Sequence, residues 1–199
     1  RTFRDRGHKR ATMRIIAQKA RMEAGSVYYH YNSKEEILDE VLEIGLRALV
    51  RGVSATISQK DRFPDHRSRI AAAIRTHMEY LFRLSEFTSA NIRIYGQLPK
   101  DVRARHRPIR HAYAKLWDNC LREAQEAGEL RDDIKIVPLR QAMLGALNWT
   151  VEWFDPQKGC KEGYYTLDEL IAMLQRLLLD GLQYQPASQF RIGPTPPSR

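Results

Sequence analysis

At 199 residues and 23.2 kDa, with 43% hydrophobic and 29% charged side chains, the chain is long enough to bury a core and too apolar to be a disordered tail. No uncharged apolar run approaches the roughly 20 residues of a membrane span. Only Cys120 and Cys160 are present, far apart and in no Cys-x-x-Cys spacing, which argues against a disulfide framework or a zinc site and suits a reducing cytoplasm. The net charge of +9 is unevenly placed. Residues 1–34 are net +7, residues 35–185 balance 22 basic against 22 acidic side chains, and the last fourteen residues add +2. A neutral body with a basic head points to a head that meets a polyanion. Arg1 opens inside the basic stretch, so an upstream segment is expected.

Apolar residues recur at helical spacing along most of the chain and no stretch alternates with period two for long, so the fold class is all-α. Within residues 11–32 two short helices flank a tight connection, the first holding Met13, Ile16, Ala17 and Ala20 and the second running from about Ala24 to Tyr29. Val27, Met22 and Ile16 are available to pack the pair, with Tyr29 and Tyr31 as further core members. Ser33-Lys34-Glu35-Glu36 reads as a capping box opening a helix with Leu38, Val41, Leu42, Leu46, Leu49, Val53 and Ile57 on one stripe. A second helix of this kind carries Ile70, Ile74, Met78 and Leu81, and a shorter one spans Phe87 to Gln97. Next comes a long helix with Ile109, Tyr113, Leu116, Cys120 and Leu121 inward, and Gly128 stands where a left-handed cap belongs. Pro138 suits the first turn of a helix through Leu139, Met143, Leu147 and Val151 that Asp155-Pro156 stops. Thr166-Leu167-Asp168-Glu169 is a second capping box, opening a helix with Leu170, Ile171, Leu174, Leu177, Leu178 and Leu182. The expected division is a head over 1–47, a helical body over 48–185 and a mobile tail over 186–199, rich in Pro, Ser and Gly.

The two short helices have the size of a helix-turn-helix, in which the first helix crosses the phosphate backbone and the second enters the major groove. The second helix offers Gly25 and Ser26 at its start, then Tyr28 and His30, groups suited to base edges and phosphates. The aromatic cluster would serve equally as the packed end of a helix.

The run Gly7-His8-Lys9-Arg10-Ala11-Thr12-Met13-Arg14-Ile15-Ile16-Ala17, followed by Gly25-Ser26-Val27-Tyr28-Tyr29-His30-Tyr31-Asn32-Ser33-Lys34, resembles the DNA-binding domain of the TetR family of bacterial transcription regulators. The resemblance covers about forty residues. It implies that Thr12 and Tyr28 hold phosphates, Arg14 and Ser26 approach bases beside Gly25, His30 contacts the backbone and Lys34 clamps a phosphate. Two positions depart from the family pattern. Arg21 stands where the turn usually has Gly, at a cost of about 1 kcal/mol in a left-handed conformation. Glu23 stands where Ser or Thr commonly opens the recognition helix, as a charge partner of the helix N-terminus or a reader of cytosine. Only Arg1-Thr2-Phe3-Arg4 of the family's first helix is present.

So small a reader gains specificity by pairing two-fold on a palindrome, which calls for a homodimer. The leucine-rich helix from Thr166 to Leu182, with Leu170, Leu174, Leu177 and Leu178, joined by Met143, Leu147, Trp153 and Phe154, is the expected interface, although the same residues could close a monomeric core. Tyr80, Phe82, Tyr95, Tyr113, Trp117, Met143 and Trp149 are candidates to line a pocket for a small apolar molecule, or simply to be core. The segment Ala142 to Pro156, with Gly128-Glu129-Leu130-Arg131, is similar to TetR regulators of fatty-acid and steroid breakdown, several of which respond to acyl-CoA thioesters. Glu152 stands where relatives often carry Arg. Arg93, Arg103, Arg105, Arg107 and Arg110 offer other cations for a CoA moiety, or form a solvated helix face.

No nucleophile with its base, paired carboxylates, ligand-spaced histidines or glycine-rich phosphate loop points to an enzyme, a metal or a cofactor. The expected function is a repressor that binds double-stranded operator DNA and is released by a small effector, with no membrane partner. The competing reading is a ligand-independent DNA-binding dimer whose body is only a scaffold; a cavity in the body distinguishes the two.

Overall fold

The computed structural model describes residues 2, 10–84, 86–156 and 165–182, apart from the side chains of residues 84, 86, 90 and 93. Among them are eight α-helices and no strand: α1 (Met13–Ala20), α2 (Ala24–His30), α3 (Lys34–Ser58), α4 (His66–Glu79), α5 (Glu86–Ile94), α6 (Lys100–Glu126), α7 (Ile136–Trp153) and α8 (Leu167–Asp180). The chain is all-α, as its periodicity predicts. Short 3-10 turns cover Lys60–Arg62 and Tyr95–Gln97, and α4 widens into a π-turn over Tyr80–Leu84. The expected tail over 186–199 lies outside the described residues, and the expected division near residue 47 falls within the unbroken α3.

The helix ends follow the local sequence. The Thr166 hydroxyl accepts from the Glu169 amide at 3.2 Å while Glu169 accepts from the Thr166 amide at 2.7 Å, a complete capping box. At α3 only half of the expected box forms. Ser33 Oγ accepts from the Glu36 amide at 3.2 Å, but the Glu36 carboxylate turns to the Asn32 amide at 2.8 Å. Gly128 takes φ +72, closing α6 with the left-handed turn that its lack of a Cβ permits.

Three apolar clusters hold these helices. Met13, Ala17 and Val27 pack α1 on α2. Ala11, Leu38 and Leu42 meet Ile94, Leu98 and Val102, which joins the N-terminal helices to the rest of the chain. The largest cluster runs from Leu49 and Val53 on α3 through Ile70, Trp117 and Leu147 to Leu170 and Leu174 on α8. At Gly45, α5 comes so close to α3 that a Cβ would stand 2.8 Å from the Phe87 carbonyl carbon. Buried Arg69 donates to Glu123 at 2.6 Å, and Lys60 holds the same carboxylate at 3.1 Å.

Burial revises several sequence expectations. Leu147, Phe154, Leu170 and Leu174, expected at an interface, lie inside the protomer's own core, and Leu178 is half-buried against it. Of the expected interface residues Leu177, at 68%, and Trp153, at 47%, are exposed, while Met143 is core. The large apolar side chains left exposed on α7 are Val137, Trp149 and Trp153, the last two one turn apart, and on α8 Met173 and Leu177. Leucine on two faces of one helix does not itself say which face its own bundle takes. Tyr29, expected in the core, is 86% exposed, and Met22 is also exposed, because Val27 with Met13 and Ala17 already fills the small contact between α1 and α2.

Candidate nucleic-acid interface and interior pocket

The α1–α2 pair is built by its turn. Arg21 adopts φ 56, ψ 39, and its amide donates to the Gln18 carbonyl at 3.1 Å while the Met22 amide donates to Ala17 at 3.0 Å. The left-handed cap is therefore formed by an arginine, at about 1 kcal/mol of strain. Glu23 is the N-cap of α2 without a side-chain capping bond. Thr12 caps α1 by accepting from the Ile15 amide at 3.3 Å.

With Val27 turned inward, Gly25, Ser26, Tyr28 and His30 are left on the open surface of α2, Tyr28 at 56% exposed. Thr12 and Arg14 are exposed on α1, and Lys34 stands half-buried at the start of α3, 4.0 Å from Glu35. A Cβ on Gly25 would meet nothing within 4 Å. Tyr31 is half-buried and donates its hydroxyl to Glu40 at 2.7 Å; that carboxylate holds its pKa above the ordinary tyrosine value. One small head thus presents hydroxyls, an imidazole and cations beside the exposed Arg10, Lys19 and Arg21. That inventory matches phosphate and base-edge acceptors.

α3 leads from this head into the body, where two neighbours hold its first half. Asp39 accepts from His106 Nε2 at 2.6 Å and from Arg105 Nε at 2.7 Å, tying α3 to α6. Asn91 of α5 donates Nδ2 to the Leu42 carbonyl at 2.9 Å. One turn further, a cavity of about 200 Å³ opens between α3, α4, α5, α6 and α7. Leu46, Leu49 and Leu144 form apolar parts of its wall, and His77, Asn91, Arg110, Arg140 and Asn148 polar parts.

The polar groups are fixed by one another. Buried His77 accepts at Nδ1 from the Tyr113 hydroxyl at 2.7 Å, and its Nε2 donates to Asn148 Oδ1 at 3.1 Å. Burial lowers its pKa to about 4, so the ring is neutral at pH 7, and burial pushes the Tyr113 hydroxyl up. Arg140 donates to Asp118 at 2.7 Å. Arg110 donates to Asn91 Oδ1 and stacks 3.5 Å from the centre of the Tyr95 ring. On the other side, Tyr95 joins Lys100, Arg103 and Arg107 in a basic groove of about 320 Å³.

Of the residues expected to line a pocket, Tyr113 lines the cavity and Tyr95 the adjoining groove. Trp117 and Met143 are packed in the core, and Trp149, at 66% exposed, stands on the outer face of α7, about half a turn round from the inward Leu147. The Arg93 side chain lies outside the described residues. His77, Asn91, Arg140 and Asn148 were not singled out from the sequence. The available signal was polar residues on otherwise apolar helix faces, such as His77 between Ile74 and Met78. Among the described residues no group of three His, Cys, Asp or Glu could hold a metal ion, and no helix is long and apolar enough to cross a membrane.

This arrangement agrees with known proteins over most of the chain. The model of bacterial regulatory proteins of the TetR family matches residues 1–41, and a tetracyclin repressor-like C-terminal domain matches residues 64–182. The chain belongs to the TetR family. Its TetR relatives include the transcriptional repressor KstR2 of Rhodococcus jostii, 27% identical over 90% of this chain and 85% of that protein. The fatty acid metabolism regulator protein of Bacillus subtilis is 22% identical over 74% of each. Among solved TetR-like structures, the ketosteroid regulator KstR2 of Mycobacterium tuberculosis superposes with a TM-score of 0.77 at 22% identity, over 92% of this chain and 90% of that one. AibR, solved with isovaleryl coenzyme A and operator DNA, gives 0.77 at 20% identity, over 89% and 91%. The TetR family comprises DNA-binding transcription regulators, not enzymes.

Proposed function

We propose that this TetR regulator is a ligand-released repressor. It binds a palindromic operator as a homodimer, and a small molecule in the cavity between α3, α4, α5, α6 and α7 lowers its affinity for that operator. TetR regulators bind operators and form dimers. In the head, Thr12, Tyr28, His30 and Lys34 engage phosphates while Arg14 and Ser26, with Gly25 allowing close approach, read bases. The exposed apolar side chains Trp149 and Trp153 of α7 and Met173 and Leu177 of α8 meet their copies across the two-fold axis.

The observation that carries the proposal is the cavity's place against α3. Leu46 and Leu49 form part of its wall, and Asn91, on that wall, also holds the Leu42 carbonyl. A ligand that favours one position of α3 shifts the spacing of the two reading heads by its differential affinity for the two forms. A body packed solid would have favoured the scaffold reading.

An acyl-CoA thioester is the ligand class favoured by the relatives, since AibR was solved with isovaleryl coenzyme A and operator DNA together. About 200 Å³ suits a short acyl group, not a whole coenzyme. Lys100, Arg103 and Arg107 in the adjoining groove are then cations for its phosphates. Fluorescence-anisotropy titration of the chain on DNA from upstream of its own gene, with and without a panel of acyl-CoA thioesters, tests this. Salt-sensitive binding released by one chain length is the expected result. Binding that no small molecule disturbs overturns ligand control.

A further inference from the structure

Two arginines of the body are neutralised by a carboxylate beside them. Arg69 has Glu123 at 2.6 Å and Arg140 has Asp118 at 2.7 Å. Arg110 has no carboxylate. Its guanidinium makes one hydrogen bond, to the Asn91 amide oxygen, lies on the Tyr95 ring, and leaves Nε buried without an acceptor. Burial accordingly works against its charge. An arginine has five donors, and a half-buried cation whose Nε is sealed from water without an acceptor is costly.

This group lines the cavity, and the rest of the lining does not neutralise it. Arg140 already has its acid, His77 is a neutral ring, and Asn91 and Asn148 are amides. Leu46, Leu49 and Leu144 form the apolar wall. The wall thus holds one cation lacking an anion beside a hydrocarbon surface. A volume of about 200 Å³ is a little more than the roughly 150 Å³ that accommodates a benzene ring.

We propose that the cavity binds a small organic acid, its carboxylate received by the Arg110 guanidinium and its short-chain or monocyclic body lying against Leu46, Leu49 and Leu144. A carboxylate accepts two charge-assisted hydrogen bonds from a guanidinium, where the Asn91 amide oxygen accepts one. Arg110 thereby exchanges a neutral partner for a charged one. Asn91, which also holds the Leu42 carbonyl of α3, loses its contact with Arg110, so occupancy is transmitted toward the head. The regulatory consequence rests on the reading of this cavity as the effector site; the binding does not.

The test is isothermal titration calorimetry of the full chain with monocarboxylates of about four to eight carbons, straight and monocyclic, each paired with its primary amide and its CoA thioester. The expected result is at least one acid that binds about tenfold or more tightly than its own amide. In Arg110→Gln the acid and amide bind within about twofold of each other, and Arg110→Lys restores part of the preference. Circular dichroism melts establish that both variants fold. Amides that match their acids, a preference that survives Arg110→Gln, or no acid binding at millimolar concentration each overturn the proposal. Thioesters that bind and release operator while free acids do not bind overturn it and leave the proposed function standing. Acids that bind through Arg110 without releasing operator support the site and count against the regulatory reading.

Discussion

The Tyr113 hydroxyl donates to Nδ1 of His77 across 2.7 Å, and this contact with the Asn148 oxygen at 3.1 Å fixes the imidazole as a neutral ring at the cavity wall. Burial penalises the charged imidazolium and lowers the pKa to about 4, and a proton on Nδ1 would also remove the acceptor that the Tyr113 hydroxyl uses.

A pH dependence of stability follows. Unfolded, His77 takes up a proton near pH 6.5; folded, only near 4. Between those values the unfolded chain binds more protons, so stability is full above about pH 6.5 and falls as the pH drops towards 4. The total contribution is about 3 kcal/mol. Urea unfolding at pH 7 and pH 4.5 should show a larger acid loss in the native chain than in His77→Gln. Equal losses would count against a neutral buried ring.

Gly45 and Gly25 should respond oppositely to alanine. At Gly45 the new methyl stands 2.8 Å from the Phe87 backbone, so α5 must retreat from α3, at about 1–3 kcal/mol. Because Asn91 rides on α5, small-molecule affinity should fall as well. Gly25→Ala meets nothing and should leave the thermal midpoint unchanged or raised, while lowering operator affinity if that face enters the groove. Thermal melts of the two variants check the pair.

The head makes a prediction about specificity. Arg14→Ala should cost about 1–3 kcal/mol on the operator and relax discrimination at one base position. Tyr28→Phe should weaken operator and random DNA alike, by loss of a phosphate contact. Both side chains are exposed, so neither variant should change the unfolding midpoint. Anisotropy titrations on the operator and on scrambled DNA separate the two effects, and unchanged affinities in both would remove these residues from the interface.

Substitutions on the two faces of α7 should part company. Trp149→Glu places a charge among the exposed apolar side chains and should yield folded monomers in sedimentation velocity. Leu147→Ala, two residues away but fully buried, should lose about 2–5 kcal/mol of stability and keep the assembly state. Dimers persisting in Trp149→Glu would move the interface off these side chains.

Local sequence determined what depends on neighbours along the chain. The 3.6-residue apolar period determined the helices. The Thr166–Glu169 reciprocity, the left-handed Gly128 and the inward Val27 followed from capping, turn chemistry and apolar spacing, whereas an arginine in the left-handed turn at Arg21 ran against local preference. The concentration of basic side chains before residue 35 marked the head as the part that meets a polyanion.

Tertiary structure decided what depends on separate helices meeting. Leu147 and Trp149 are both apolar and two positions apart; only the packing of α7 against α5 and α6 shows that one is core and the other surface. The Glu36 carboxylate had two amides within reach, and the geometry before α3 gave it Asn32. Leu46, His77, Asn91, Arg110, Arg140 and Asn148 come from five helices and about a hundred residues of chain, so no local spacing could have joined them. A helix's period names its apolar side, but whether that side closes on its own bundle, on a partner or around a cavity is set by shapes that meet only once the chain has folded.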